Sequence, residues 1–149
     1  MSGAGGFFEE EGLFFHTIFP SKLLELNINI LEMLTIIVAL KVWGEKFRGR
    51  KIHIFCDNLA TVATLASGKA RVPLFQACHR EIVFLKAKFD FQLRVSHIQG
   101  KENRAADYLS RWHLSPIYRD KFFSEFASPL RSLQEVFIDP VLFEFSHEW

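Results

Sequence analysis

Apolar residues come in two short runs at the start of the chain. Phe7 and Phe8 precede the acidic triplet Glu9-Glu10-Glu11, which Gly12 closes, and Leu13 to Phe19 then resumes an aromatic and β-branched stretch. Two such runs around an acidic turn ending in glycine predict a β-hairpin. Pro20 stops the second strand, and Ser21 to Asn27 shows no clear period. Leu31, Leu34, Val38 and Val42 then recur at spacings of three and four, which makes one apolar stripe of a helix. Asn29 reads as its N-cap, with Glu32 as the capping-box partner three residues on. Gly44 and Gly49 bracket its end.

Lys51 to Cys56 is a short β-rich run ending at Asp57-Asn58. A second helix is predicted from Leu59 to Ala66, closed by Ser67-Gly68. A third begins at Pro73, which suits a first helical turn, and runs to about Phe89. Phe91, Leu93 and Val95 alternate with Gln92, Arg94 and Ser96, the period of a strand with one buried face. Gln99 to Glu102 is a polar loop, and Asn103 is placed to cap a short helix carrying Asp107. Past Arg111 the character changes: Pro116, Pro129 and Pro140 interrupt each candidate element while aromatic residues recur up to Trp149. The order hairpin, helix, strand, helix, helix, strand, helix predicts an α/β layout around a mixed sheet. Residues 1–112 read as the folded domain. Residues 113–149 read as an aromatic, proline-containing tail or linker that packs over the domain or leads to a neighbour.

Composition narrows the class. With 149 residues, 49% hydrophobic and 23% charged, the chain suits one globular domain and is not disordered by composition. Seventeen phenylalanines point to a core of aromatic rings. Cys56 and Cys78 form no paired pattern, which argues against a disulfide scaffold and for a reducing compartment. The longest apolar run, Met33 to Leu40, has eight residues. A membrane span needs about twenty, so no membrane association is expected. The N-terminus lacks the basic and apolar regions of a signal peptide. The net charge of +1 hides an asymmetry: residues 41–111 carry 14 basic residues against 6 acids, between two acidic ends. A basic middle suits a polyanionic partner, and equally a solvated basic face.

Three carboxylates stand out by position. Glu32 lies in the first turn of a long helix, Asp57 ends a strand, and Asp107 lies on a short helix just after another strand. Strand ends and helix starts converge at one edge of an α/β sheet, where ligands bind. Carboxylates gathered there suit hard divalent cations, and two such ions about 4 Å apart activate water and stabilise the leaving oxygen in phosphodiester cleavage. Each residue also has a plainer role: Glu32 in a capping box, Asp57-Asn58 as a helix cap, Asp107 as an exposed helix acid, His97 as a structural histidine. Zinc-ligand spacing, a phosphate-loop pattern and a Gly-x-Ser-x-Gly turn are all missing from the sequence.

The combination resembles a known family. Asn29-Ile30-Leu31-Glu32 opens a helix, Ile52 to Asn58 ends a strand, and His97 to Asp107 follows His-x-x-Gly-x-x-Asn-x-x-Ala-Asp. The last pattern is similar to the signature of type 1 ribonuclease H domains in reverse-transcribing elements. Tyr108-Leu109-Ser110-Arg111 looks like retroelement polyproteins, in style closest to the DIRS-type tyrosine-recombinase kind. The resemblance covers about residues 2–112. It implies an RNase H-like fold, with a five-stranded mixed sheet whose first three strands are antiparallel and which helices flank. It also implies hydrolysis of the RNA strand of an RNA–DNA hybrid with two Mg²⁺ ions. By that resemblance Glu32, Asp57 and Asp107 hold metal, and His97 assists proton movement or product release. Asn58, Lys69, Arg71, Arg80, Lys101, Asn103 and Arg104 are the expected nucleic-acid contacts. Retroelement replication implies an intracellular site, cytoplasmic or nuclear.

One departure carries consequences. The family's first acid lies on its first, central strand, just upstream of a glycine-rich turn. Gly3-Ala4-Gly5-Gly6 matches that turn, and only Met1 and Ser2 precede it. The expectation is a domain lacking most of its first strand, weakly active or inactive as it stands. Its partner is then an upstream reverse transcriptase domain or a chain supplying the strand, because unpaired sheet edges invite pairing. The competing reading is a non-catalytic domain that binds nucleic acid or braces a neighbouring reverse transcriptase.

Overall fold

The computed structural model describes residues 2–69 and 71–149. Met1, which the sequence reading places ahead of the glycine motif, lies outside them. The chain forms two compact units. One comprises the N-terminal segment to Glu25 with Gly100–Pro140, and the other comprises Leu26–Gln99 with Val141–Trp149. The residues of the expected tail are therefore shared between them.

In the first unit, β1 (Gly3–Phe8) and β2 (Leu13–Ile18) form the hairpin, in antiparallel register from Gly3 opposite Ile18 to Phe8 opposite Leu13. Glu9–Glu11 make a 3-10 turn, and Gly12 closes it at φ 66°, a left-handed conformation that glycine adopts without strain. A two-residue strand, β5 (Gln134–Glu135), pairs parallel to β2. The glycine motif is not a turn, contrary to the sequence reading. It is extended within β1, and the reason is packing. Helix α4 (Arg104–Ser110) lies so close that a Cβ on Gly5 would fall 2.3 Å from the Cβ of Leu109 and 2.9 Å from its carbonyl carbon. The obstacle includes backbone, so a rotamer change does not relieve it. Gly5→Ala is expected to lower the stability of this unit by about 2 kcal/mol, the usual range for overpacking. Thermal unfolding of the variant checks this.

Helix α5 (Pro116–Phe126) follows α4. Pro116 does not interrupt it. The proline occupies the first helical position, where its missing N–H costs nothing, and the Ser115 hydroxyl accepts from the Ile117 amide at 3.3 Å. Phe14, Leu109 and Phe122 form the buried centre of this unit, with Phe7, Trp112, Phe123 and Phe126 packed around them. The Phe14 and Phe122 rings lie 4.9 Å apart, and Phe7 meets Phe122 edge-on at 5.4 Å. This is the aromatic core the phenylalanine content predicts.

In the second unit, α1 (Ile28–Phe47) packs on α3 (Pro73–Phe89) and on α2 (Leu59–Ser67). Strands β3 (Lys51–Cys56) and β4 (Gln92–His97) pair in parallel, from Lys51 opposite Gln92 to Cys56 opposite His97. The N-cap of α1 is Asn27, whose side chain accepts from the Asn29 amide at 2.7 Å; the expected Asn29–Glu32 capping box does not form. Helix α1 buries Ile30, Leu31, Met33, Leu34, Ile36, Ile37, Val38 and Leu40, so it is apolar nearly all round. A helix enclosed in this way has no single stripe from which its start can be phased.

The α/β class is therefore as expected, with the strands of the described residues in two sheets ordered β1-β2-β5 and β3-β4. Among the described residues, no helix is long and apolar enough to cross a membrane.

Candidate functional site

The second unit brings Glu32 and Asp57 together. The tie begins at the turn after β3. Asn58 caps α2: its side-chain oxygen accepts from the Thr61 amide at 2.9 Å, while its amide nitrogen donates to the Asn29 side-chain oxygen at 2.7 Å. The hydroxyl of Thr61, a fully buried residue, donates to the Asn29 carbonyl at 3.3 Å. Three polar groups thus fasten the first turn of α1 to the β3–α2 turn. Glu32 lies three residues beyond Asn29, on the same side of the helix. This lock holds its carboxylate against Asp57. One oxygen of Glu32, one of Asp57 and the sulfur of Cys56 lie within 4.8 Å of one another.

The electrostatics follow from this crowding. Burial, and then the charge of Asp57, push the Glu32 carboxyl up to about 7. Burial, together with the two carboxylates, raises the Cys56 thiol to about 11. At neutral pH the sulfur is therefore a protonated, soft group. The hard donors are the two carboxylate oxygens, which is the chemistry Mg²⁺ takes. An anionic pair held at close range and partly out of water is poorly stable alone and suits a divalent cation.

The other expected residues fall as follows. His97 ends β4 opposite Cys56 in register and is exposed, so it stands beside the Asp57 turn. Asp107 lies on α4 in the first unit, where one oxygen accepts from Arg111 Nε at 3.0 Å. Lys69, Arg71 and Lys101 are exposed. Arg104 pairs with Glu125 at 3.4 Å, and Arg80 donates to the Trp149 carbonyl at 3.0 Å. Asn103 is the N-cap residue of α4 but makes no side-chain cap bond. Asn58 is committed to the capping lock described above.

Sequence reasoning missed Cys56 and Asn29 as members of the site. For Cys56 a signal was present: Ile52, Ile54 and Cys56 share one face of β3 by the period of two. For Asn29 no spacing rule pairs an asparagine in one helix with the cap of another.

A family model described as reverse transcriptase-like matches residues 16–113. Neither the curated proteins nor the solved structures give a significant match. The matched stretch covers more than half of the chain and contains Glu32, Asp57, His97 and Asp107, so the chain belongs to the reverse transcriptase-like family and carries an RNase H-like domain.

Proposed function

We propose that this is the ribonuclease H domain of a retroelement polyprotein, which hydrolyses the RNA strand of RNA–DNA hybrids once a further acidic strand completes it. The observation that carries this reading is the convergence of Glu32 and Asp57 at the end of β3. These two residues would hold Mg²⁺; for Asp107 a metal role is implied by the resemblance alone. When bound, the metal supplies an activated water and charge stabilisation at the leaving oxygen. The protein's own part is positional. The Asn29–Asn58–Thr61 lock fixes Glu32 against Asp57, and His97, on the neighbouring strand end, is placed to exchange a proton with solvent near the site. Exposed Lys69, Arg71 and Lys101 suit phosphate contacts. An A-form-like hybrid is read by shape and 2′-hydroxyls, so no base-reading element is needed.

Among the described residues β3 has β4 on one side and no strand on the other. The unpaired edge of a strand is a ready template for a further strand. An acid-bearing strand paired along that open edge would bring a further carboxylate beside Asp57. The test is cleavage of a labelled hybrid in Mg²⁺, comparing the chain with a form preceded by such a strand. Cleavage by the extended form, with little or none by the chain itself, is the expected result. The pairing of Asp107 with Arg111 favours the alternative, a domain that binds hybrid or braces a reverse transcriptase without cutting. Folded, hybrid-binding, inactive protein in both forms would establish that alternative instead.

A further inference from the structure

Glu81 is a carboxylate that the site above does not use. It sits on the inner face of α3 among Ala77, Cys78, Ile82 and Leu85, with no exposed surface at all. A charge in such a place costs stability unless it is paired and hydrogen-bonded. Its partners come from two places. Lys41 Nζ on α1 stands 3.5 Å from it. The other donors all belong to the last residues of the chain. The Ser146 amide donates to both carboxylate oxygens, at 2.9 and 3.0 Å, the Ser146 hydroxyl donates to one of them, and the Trp149 indole donates to the other at 2.7 Å.

The walls of this cleft contribute as well. Lys41 Nζ donates to the Leu142 carbonyl at 3.1 Å and also to the Glu144 carbonyl. Arg80 reaches the Trp149 carbonyl. Phe84 meets the His147 ring edge-on at 4.6 Å and the Trp149 ring at 6.1 Å. Past the 3-10 turn Pro140–Phe143 the segment has no regular structure, and of residues 141–149 only Phe143 is buried. Trp149 keeps 38% of its surface. Phe143 is anchored in the core; from Glu144 onward the segment lies on the helices by point anchors, as a bound peptide does.

We propose that the α1–α3 cleft around Glu81 is a peptide-binding site that reads a Ser-x-x-Trp segment, filled here by the chain's own residues 146–149. Glu81 supplies specificity. Besides a backbone amide, it accepts from a serine hydroxyl and an indole three residues on, and a segment lacking either side chain leaves a buried charge short of donors. Lys41 and Arg80 read the backbone carbonyls and require no particular side chain. A cleft of this kind accepts the same segment from outside the chain when the internal copy is weakened.

The probe is a labelled synthetic peptide of residues 141–149, titrated into three full-length proteins and read by fluorescence anisotropy. Wild type, with its cleft filled, is expected to bind it at least ~10-fold more weakly than Ser146→Ala/Trp149→Ala, since one tenfold step corresponds to a single anchoring interaction. Adding Glu81→Gln to that double variant is expected to abolish the gain, and a peptide carrying the same two alanines is expected to bind none of the three. Equal binding of the peptide to wild type and the double variant would overturn the proposal. A measurement on wild type alone serves if the double variant does not fold. The Ser146 amide should exchange with solvent hydrogen at least ~10-fold faster than the Leu85 amide, through local release of the segment. Exchange of both at one common rate would show the segment to be part of the global fold and would refute the proposal.

Discussion

Asp57→Asn in the form carrying the added acidic strand is expected to lower hybrid cleavage at least ~100-fold, because even the outer partners of metal ligands cost 10–100-fold when mutated. The fold should survive, since Asp57 is exposed and its side chain takes no part in the Asn29–Asn58–Thr61 lock. The substitution preserves shape and removes one charge, so the loss reports on metal holding and not on packing. A second consequence follows at Glu32. Its carboxyl is raised first by burial and then by Asp57. Removing the second cause brings it part of the way back toward the ordinary carboxylate range, while burial keeps it above. A pH titration of Glu32 by carboxyl-carbon resonance, run beside a Mg²⁺ titration of cleavage, checks both. Unchanged cleavage at unchanged Mg²⁺ demand would remove Asp57 from the metal site.

The elements that were legible in the sequence are those with one exposed face. Helix α3 keeps its predicted bounds of Pro73 to Phe89 because Pro73 fits a first turn. Strand β4 was legible from its period of two, and β3 from its short β-rich run. Helix α1 was recognised, but its cap was displaced from Asn27 to Asn29, because burial on all sides erases the phase of the stripe. Helix α5 was hidden by Pro116, whose place in a first turn looks in sequence like an interruption. The glycine motif was assigned the wrong conformation for a different reason. Gly5 is required by the approach of α4, about a hundred residues further on, and no local pattern encodes that.

The site divides in the same way. Glu32 and Asp57 were legible as a pair because helix starts and strand ends meet at sheet edges. The Cys56 thiol beside them, the asparagine lock beneath them and the Glu81 anchor all depend on contacts between elements distant in sequence. The Asp107–Arg111 pair is the opposite case. Its four-residue spacing was available from the sequence and predicts the ion pair that forms.

Glu32→Gln is expected to stabilise the metal-free chain as pH rises, and to do so at the expense of metal binding. In the folded chain the Glu32 carboxyl titrates at about 7, against 4.5 in its ordinary state. Between those values the folded protein holds a proton that the unfolded chain has released, so stability falls with rising pH across that window. The contribution is fully present below 4.5 and gone above 7. A gap of that size corresponds to about 3 kcal/mol. The glutamine variant lacks this slope, so its advantage over wild type should grow from pH 4.5 to 7 and stay level above. Denaturant unfolding at several pH values, with metal removed, measures it. Divalent cation reverses the order. A metal held by Glu32 and Asp57 takes the place of the proton, stabilises wild type by mass action and binds more tightly as pH rises through 7. The variant, with a neutral amide in place of a carboxylate, gains little. The proposed cation site accounts for a chain that keeps so costly a pair of charges when one amide would relieve it.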